Sequence, residues 1–386
     1  MLDALVDYCK TWHLTINESK SKVMVFRKGG RLARYDRFHI NGKSLDIVNS
    51  FKYLGINFST NGTWSSARSL RVDHANKLIF TLKRSPVFKN LPPHLKMYVF
   101  DIKILPTLLY ASEVWGENYL YDSKIDNVLY KFCKYVLGLP RYCVNATAIA
   151  EIGRSRISIY ASYRKVKFWL QILKHSNSRY TSISYKPIFE MANNGISCWA
   201  NDVKQILSNA GYGDIWCQQG ANLSDDRLFL CNFLQRLVDI DKQIWSTNIN
   251  AMSRLYLYRN FKSSNSYEFY LAHVDSWFHR TTLSKFRCGC FDLEVNKGRR
   301  IGTPRDMRLC TLCNLSKVED EFHFLLECPI YYELRLLYLP RYFFTSPTLQ
   351  KFACLLNTTN KNLLYKISKF LIQARRYRAE LIYIES

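Results

Sequence analysis

The sequence predicts a mainly α-helical protein with a small N-terminal β-containing region, an α+β chain that ends in a compact cysteine- and histidine-bearing module. Three observations predict it. Apolar residues recur at helical spacing from Ser65 to about residue 270, apolar/polar alternation is confined to the residues before that, and a cysteine and histidine cluster follows near the C-terminus. With 48% hydrophobic residues and 15% aromatics in 386 residues, there is enough apolar surface for two or three packed domains, which excludes global disorder.

Leu2, Leu5, Val6, Cys9 and Leu14 sit near helical spacing and predict a first helix ending before Asn17, after which SKSKVMVF alternates as a strand. Phe38 and Ile40 lead into Asn41-Gly42, a pair suited to a tight hairpin turn, and Leu45, Ile47 and Val48 return on the other side. FKYLGINFS reads as a further short strand. From Ser65 the period becomes helical, with Leu70, Ala75, Leu78, Ile79 and Leu82 on one face until Pro86 stops the run. Helical patterns continue beyond it, broken at Leu91-Pro92, at Gly138 to Pro140 and at Asn193-Asn194-Gly195. The polar stretch 176–185 is the best linker candidate, and the chain divides on this reading into residues 1–60, 61–175, 176–275 and 276–386.

Charge narrows the function classes. Lys and Arg number 55 against 31 Asp and Glu, a formal charge of +24 that attracts polyanions, so RNA and DNA are the expected partners. The plainer alternative is a basic protein whose charge only maintains solubility. The opening MLDALVDYCKTWHLTI has acidic residues before any basic one and no long apolar core, unlike a secretory signal. Runs such as ILPTLLY are too short to span a membrane, so no membrane partner is expected. Twelve cysteines, mostly single in apolar contexts such as Cys9, Cys133, Cys231 and Cys354, suit a reducing compartment. The expected location is intracellular, nucleus or cytoplasm, and not secreted.

The sharpest local pattern is C-x2-C-x9-H-x4-C, formed by Cys310, Cys313, His323 and Cys328. A knuckle of two cysteines followed by a His/Cys pair is how a chain gathers four soft ligands around tetrahedral zinc, so a structural zinc ion is the expected cofactor. Four unrelated buried residues are the competing explanation, because HFLLEC is apolar enough for an ordinary helix. Cys288 and Cys290, with His273 and His279 nearby, form a minor second option for metal, weaker because C-x-C is a poor knuckle.

Upstream of the cluster lie the candidate nucleic-acid contacts Arg280, Lys285, Arg287, Arg299, Arg300, Arg305 and Arg308, together with Lys297 and the interleaved aromatics Trp277, Phe286 and Phe291. Cations for phosphates and rings for bases are what single-stranded or structured RNA requires. A solvated basic face is the alternative. Arg375, Arg376 and Arg378 extend the same chemistry or, equally, place cations near a helix C-terminus.

Four segments resemble the downstream half of non-LTR (LINE-type) retrotransposon reverse transcriptases. LTINESKSKVMVF, Leu14 to Phe26, is similar to the block after that family's catalytic turn, and FKYLGI, Phe51 to Ile56, to the hairpin that holds the primer end. VLGLPRYCVNATAIAEIGR resembles the connector after the thumb, and LCTLCNLSKVEDEFHFLLECPIYYELR the zinc-binding C-terminus. The resemblance implies a palm remnant in 1–60, a helical thumb and connector in 61–175, a helical linker region in 176–275 and a basic zinc-binding module in 276–386. It also implies that Lys20 lies near the leaving pyrophosphate and that Tyr53, Leu54 and Gly55 form the primer-holding turn.

The family's Tyr-x-Asp-Asp turn is absent from this sequence, and polymerisation needs paired carboxylates on two divalent ions. Asp225-Asp226 stands before the helical run RLFLCNFLQRL, where capping accounts for it. No residue is therefore assigned a catalytic role, magnesium is expected only in a complete polymerase, and the implied partner is an upstream palm and fingers of the same polyprotein. The chain alone is expected to be inactive. Two rivals are a stand-alone, element-derived RNA- or DNA-binding adaptor and a zinc-dependent protein-interaction module, the latter without salt-sensitive nucleic-acid binding.

Overall fold

The computed structural model describes residues 2–27, 30–33, 37–116, 119–120 and 123–385. The chain is mainly α-helical with a small N-terminal β region. The first helix, Leu2–Thr11, buries Val6 against Ile40 and Leu45, with Leu2, Ile16, Val23 and Phe38 around them. Three two-stranded sheets follow. Lys22–Val23 pairs in parallel with Asp46–Ile47, and His39–Ile40 pairs antiparallel with Lys43–Ser44 across the Asn41-Gly42 turn. Both turn residues have positive φ, 49° and 75°, the backbone that matches strand twist in a two-residue hairpin.

FKYLGINFS is two strands, not the single strand expected. Ser50–Tyr53 pairs antiparallel with Ile56–Ser59, because Leu54 and Gly55 take φ of 46° and 77° and reverse the chain. SKSKVMVF likewise contributes only Lys22–Val23 to a sheet.

Helix Ser65–Arg84 buries Ala67, Arg71, Ala75 and Ile79, a four-residue spacing that puts them on one stripe. Pro86 ends it and also starts the next short helix, Pro86–Asn90, at whose head Ser85 accepts a hydrogen bond from Phe88 N. Helix Lys124–Leu137 begins with a capping box between Ser123 and Asp126 and ends at Gly138, φ 66°. Helix Asn145–Ile152 ends at Gly153, φ 70°.

The apolar residues gather in cores that draw on several segments of the chain. One cluster runs from Ala75 through Phe132 and Ile149 to Phe286, Phe324, Phe352 and Phe370, so the C-terminal module shares its interior with the helices before it. A second gathers Trp169, Val203, Leu207, Trp216, Phe233 and Leu237 from helices Ile157–Lys174, Trp199–Asn209 and Asp226–Ala251. The linker candidate 176–185 is half helix: Tyr180–Asn193 begins inside it, and buried Tyr185 accepts a 2.8 Å hydrogen bond from Trp169 Nε1. No helix among the described residues is long and apolar enough to cross a membrane.

Candidate metal centre and nucleic-acid interface

Cys310 leads a small hairpin whose arms are tied by Cys310 N to Lys317 O at 2.8 Å and Glu319 N to Arg308 O at 3.0 Å. The intervening turn carries Cys313 back toward Cys310. His323–Glu327 then forms a π-helical turn closed by Cys328 N to His323 O at 2.8 Å. Residues five apart diverge on an α-helix, whereas this wider i to i+5 turn brings His323 and Cys328 to the same side. That is the physical reason for the H-x4-C spacing.

The four donor atoms lie within 4.8 Å of one another, the sole such group of three or more among the described residues. Cys313 Sγ stands 3.4 Å from His323 Nε2, and His323 Nδ1 stands 3.4 Å from Glu327 Oε2. The carboxylate thus orients the ring so that Nε2 faces the thiols, the arrangement common around metal-bound histidines. Cys310, His323 and Cys328 are buried and Cys313 is half-buried. Hydrogen bonds from Cys328 and His323 hold the Cys310 thiol down to about 3, while its negative charge and hydrogen bond push Cys328 up. Several buried sulfurs competing for one negative charge are a donor set that a divalent cation would relieve, and Cys3His is a tetrahedral zinc set. Behind it, buried Arg335 donates to Cys328 O at 2.5 Å, and its Nε and Nη1 have no hydrogen-bond partner among the described residues.

The minor second option does not assemble. His279 Nδ1 pairs with Ser368 Oγ at 2.7 Å and His273 stacks on Phe269, while Cys288 and Cys290 meet Cys143 in the core. Hydrogen bonds from Cys288 and Cys290 hold Cys143 down to about 3.

The basic residues divide into buried and exposed sets. Arg287, on helix Trp277–Arg287, is buried between Glu151 and Glu268 and also donates to Leu356 O at 2.6 Å, so its assignment as a nucleic-acid contact is corrected. Arg280 is buried too and caps its own helix entry through Val274 O and Asp275 O, at 2.7 and 3.2 Å. Arg308 is half-buried and clasps Thr303 O and Val295 O. Arg300 and Arg305 are exposed and paired with Asp292 and Asp320, both at 2.9 Å. Arg299 is half-buried beside Asn296, and burial with Arg254 nearby lowers it to about 10. Lys285 is lowered by burial and by Arg375.

Lys20 is exposed on the turn Asn17–Ser21, its backbone N–H donating to Asn17 Oδ1 at 3.0 Å. The Tyr53–Ile56 hairpin tip is exposed at Tyr53 and Leu54 but braced from below. Arg71 donates to Gly55 O and Tyr110 Oη to Leu54 O at 2.8 Å, with the Arg71 guanidinium over the Tyr110 ring.

Sequence reasoning missed Glu151 and Glu268 as the partners of Arg287. A lone glutamate in ATAIAEI, an otherwise apolar helix, was the available signal. The chain matches no protein-family model, no curated protein and no solved structure.

Proposed function

We propose that this chain is the nucleic-acid-positioning, zinc-stapled part of a LINE-type retrotransposon reverse transcriptase, with the polymerising carboxylates, and the magnesium they hold, supplied by a palm outside these residues. The observation that carries the reading is the convergence of Cys310, Cys313, His323 and Cys328 directly behind a segment of exposed and half-buried cations. Zinc there fixes the hairpin that begins beside Arg308 and so sets where Arg299, Arg300 and Arg305 stand. The braced tip at Tyr53 and Gly55 supports a contact with a primer strand, where glycine permits close backbone approach and the aromatic ring packs on a sugar. Lys20, exposed on its turn, is assigned the pyrophosphate side in the assembled polymerase. All twelve cysteines are free, which suits the proposed intracellular location.

The test is anisotropy titration of labelled RNA and DNA against the chain at several salt concentrations. The reading expects binding that weakens steeply as salt rises, by several phosphates' worth of counterions. Absence of binding at low salt overturns it.

A further inference from the structure

A cavity of about 610 Å³ opens between helix Trp277–Arg287 and the terminal helix Lys361–Glu385. Phe291 and Phe324, both buried, form its floor, and Phe278, 55% exposed, stands at its wall. Arg375 and Arg376 line it from the terminal helix and are exposed. The Arg375 guanidinium lies 6.0 Å from the centre of the Phe291 ring. Neither arginine has a carboxylate partner among the described residues, and Lys285 adds a third cation beside Arg375. The acidic groups nearby are already engaged: Asp292 pairs with Arg300, and Glu319 and Glu294 pair with Arg378.

We infer that this cavity receives one unstacked base of a single-stranded nucleic acid, with the adjoining phosphates on Arg375 and Arg376; the inference rests on the nucleic-acid-binding reading above. The volume falls within the range of small-ligand pockets. The exposed Phe278 ring at the wall can stack on any planar base, because every base has a stacking face, while the buried Phe291 and Phe324 keep the cavity apolar behind it. Two exposed guanidiniums with no counter-ion at the rim complement a polyanion and oppose a second basic surface such as another copy of this chain. A purely apolar helix would leave both charges unanswered.

The experiment titrates the full chain with a labelled single-stranded oligouridylate about 15 nucleotides long, its deoxy counterpart, and versions of each carrying abasic positions. Wild type is expected to lose about 5- to 100-fold in affinity when bases are removed. Phe278→Ala is expected to bind the intact strand as weakly as wild type binds the abasic one and to ignore base removal, whereas Phe278→Tyr retains the preference. Arg375→Gln with Arg376→Gln should reduce the slope of log affinity against log salt by about 1–2. Phe278 is exposed at the wall, so an unchanged circular dichroism melt is expected for its variants. Equal affinity of intact and abasic strands for wild type, or no effect of Phe278→Ala, overturns the base pocket while the general nucleic-acid reading stands. No binding of any strand overturns both. Preference for the ribo- or deoxyribo-strand decides which nucleic acid fills it.

Discussion

Arg287 and Glu151, 136 residues apart in the chain, meet in the core with Nε to Oε2 at 2.8 Å and Nη2 to Oε1 at 3.2 Å. Glu151 comes from helix Asn145–Ile152 and Arg287 from helix Trp277–Arg287. Tyr258 and Tyr270 donate further hydrogen bonds to Glu151 at 3.1 and 2.8 Å, and Glu268 closes on Arg287 at 2.7 Å. Burial alone would lower the guanidinium's affinity for its proton, but Glu151 and Glu268 reverse that and hold it well above its usual range. The pair therefore behaves as a buried rivet between segments far apart in sequence.

Without Glu151, buried Arg287 keeps only Glu268, which it shares with Lys262, and the Tyr258 and Tyr270 hydroxyls lose their acceptor. Glu151→Ala is expected to destabilise the protein by about 3–5 kcal/mol in urea unfolding. A loss below about 1 kcal/mol would mean that the charge finds another partner.

The metal centre predicts a stoichiometry as well as a stability. Protein purified in the presence of zinc is expected to hold one equivalent by elemental analysis, lost in His323→Ala and in Cys310→Ser. Because Cys310, Phe324 and Cys328 belong to the same core as Phe132 and Ile149, chelation should lower the melting temperature of the whole helical body. Unchanged zinc content in either variant overturns the ligand assignment.

Two glycines with nearly the same backbone make a controlled comparison. Gly153 and Gly195 have φ of 70° and 73°, but a Cβ on Gly153 would lie 2.4 Å from Tyr267 N, whereas one on Gly195 meets nothing within 4 Å. Gly195→Ala is expected to cost about 1–2 kcal/mol from the left-handed backbone alone. Gly153→Ala should cost at least about 2 kcal/mol more, because backbone must move to admit the methyl group. Equal costs in thermal melts would mean that the chain near Tyr267 yields freely.

Leu54 occupies left-handed backbone, φ 46°, with its side chain 70% exposed at the hairpin tip. Asparagine suits that position better, and Leu54→Asn is expected to raise stability by about 1 kcal/mol. If the tip contacts a primer strand as proposed, the same variant should weaken primer-template binding, a trade between local fitness and use. Reduced stability would show that the leucine side chain contributes packing the tip requires.

Local signals carried the sequence reading. Asn41-Gly42 announced its hairpin, Gly138 ended its helix, and the cysteine and histidine spacing found its cluster, because each depends on residues a few positions apart. Arg287 was misjudged because a basic stretch looks the same whether its cations face water or a glutamate brought in from far along the chain. That the tail's apolar residues join a core with earlier helices was not legible for a related reason: helical period marks an apolar stripe but not which other stripe covers it. The π-turn at His323 was legible only as a gap length, since propensity does not distinguish i+4 from i+5 closure.

Arg335 gives the metal centre an electrical bookkeeping of its own. Three thiolates and a neutral imidazole around a dication would carry one net negative charge, and Arg335 lies against Cys328 with one positive charge and two nitrogens unpartnered among the described residues. With the charge of Glu327 beside His323 balanced by its partner Lys317, the ensemble would be neutral with a divalent ion, one unit negative with a monovalent ion and one unit positive with a trivalent ion. If a metal ion binds there, in a core that solvates excess charge poorly the guanidinium would act as a valence filter, favouring a divalent ion such as zinc over cuprous copper or ferric iron, whatever their taste for sulfur.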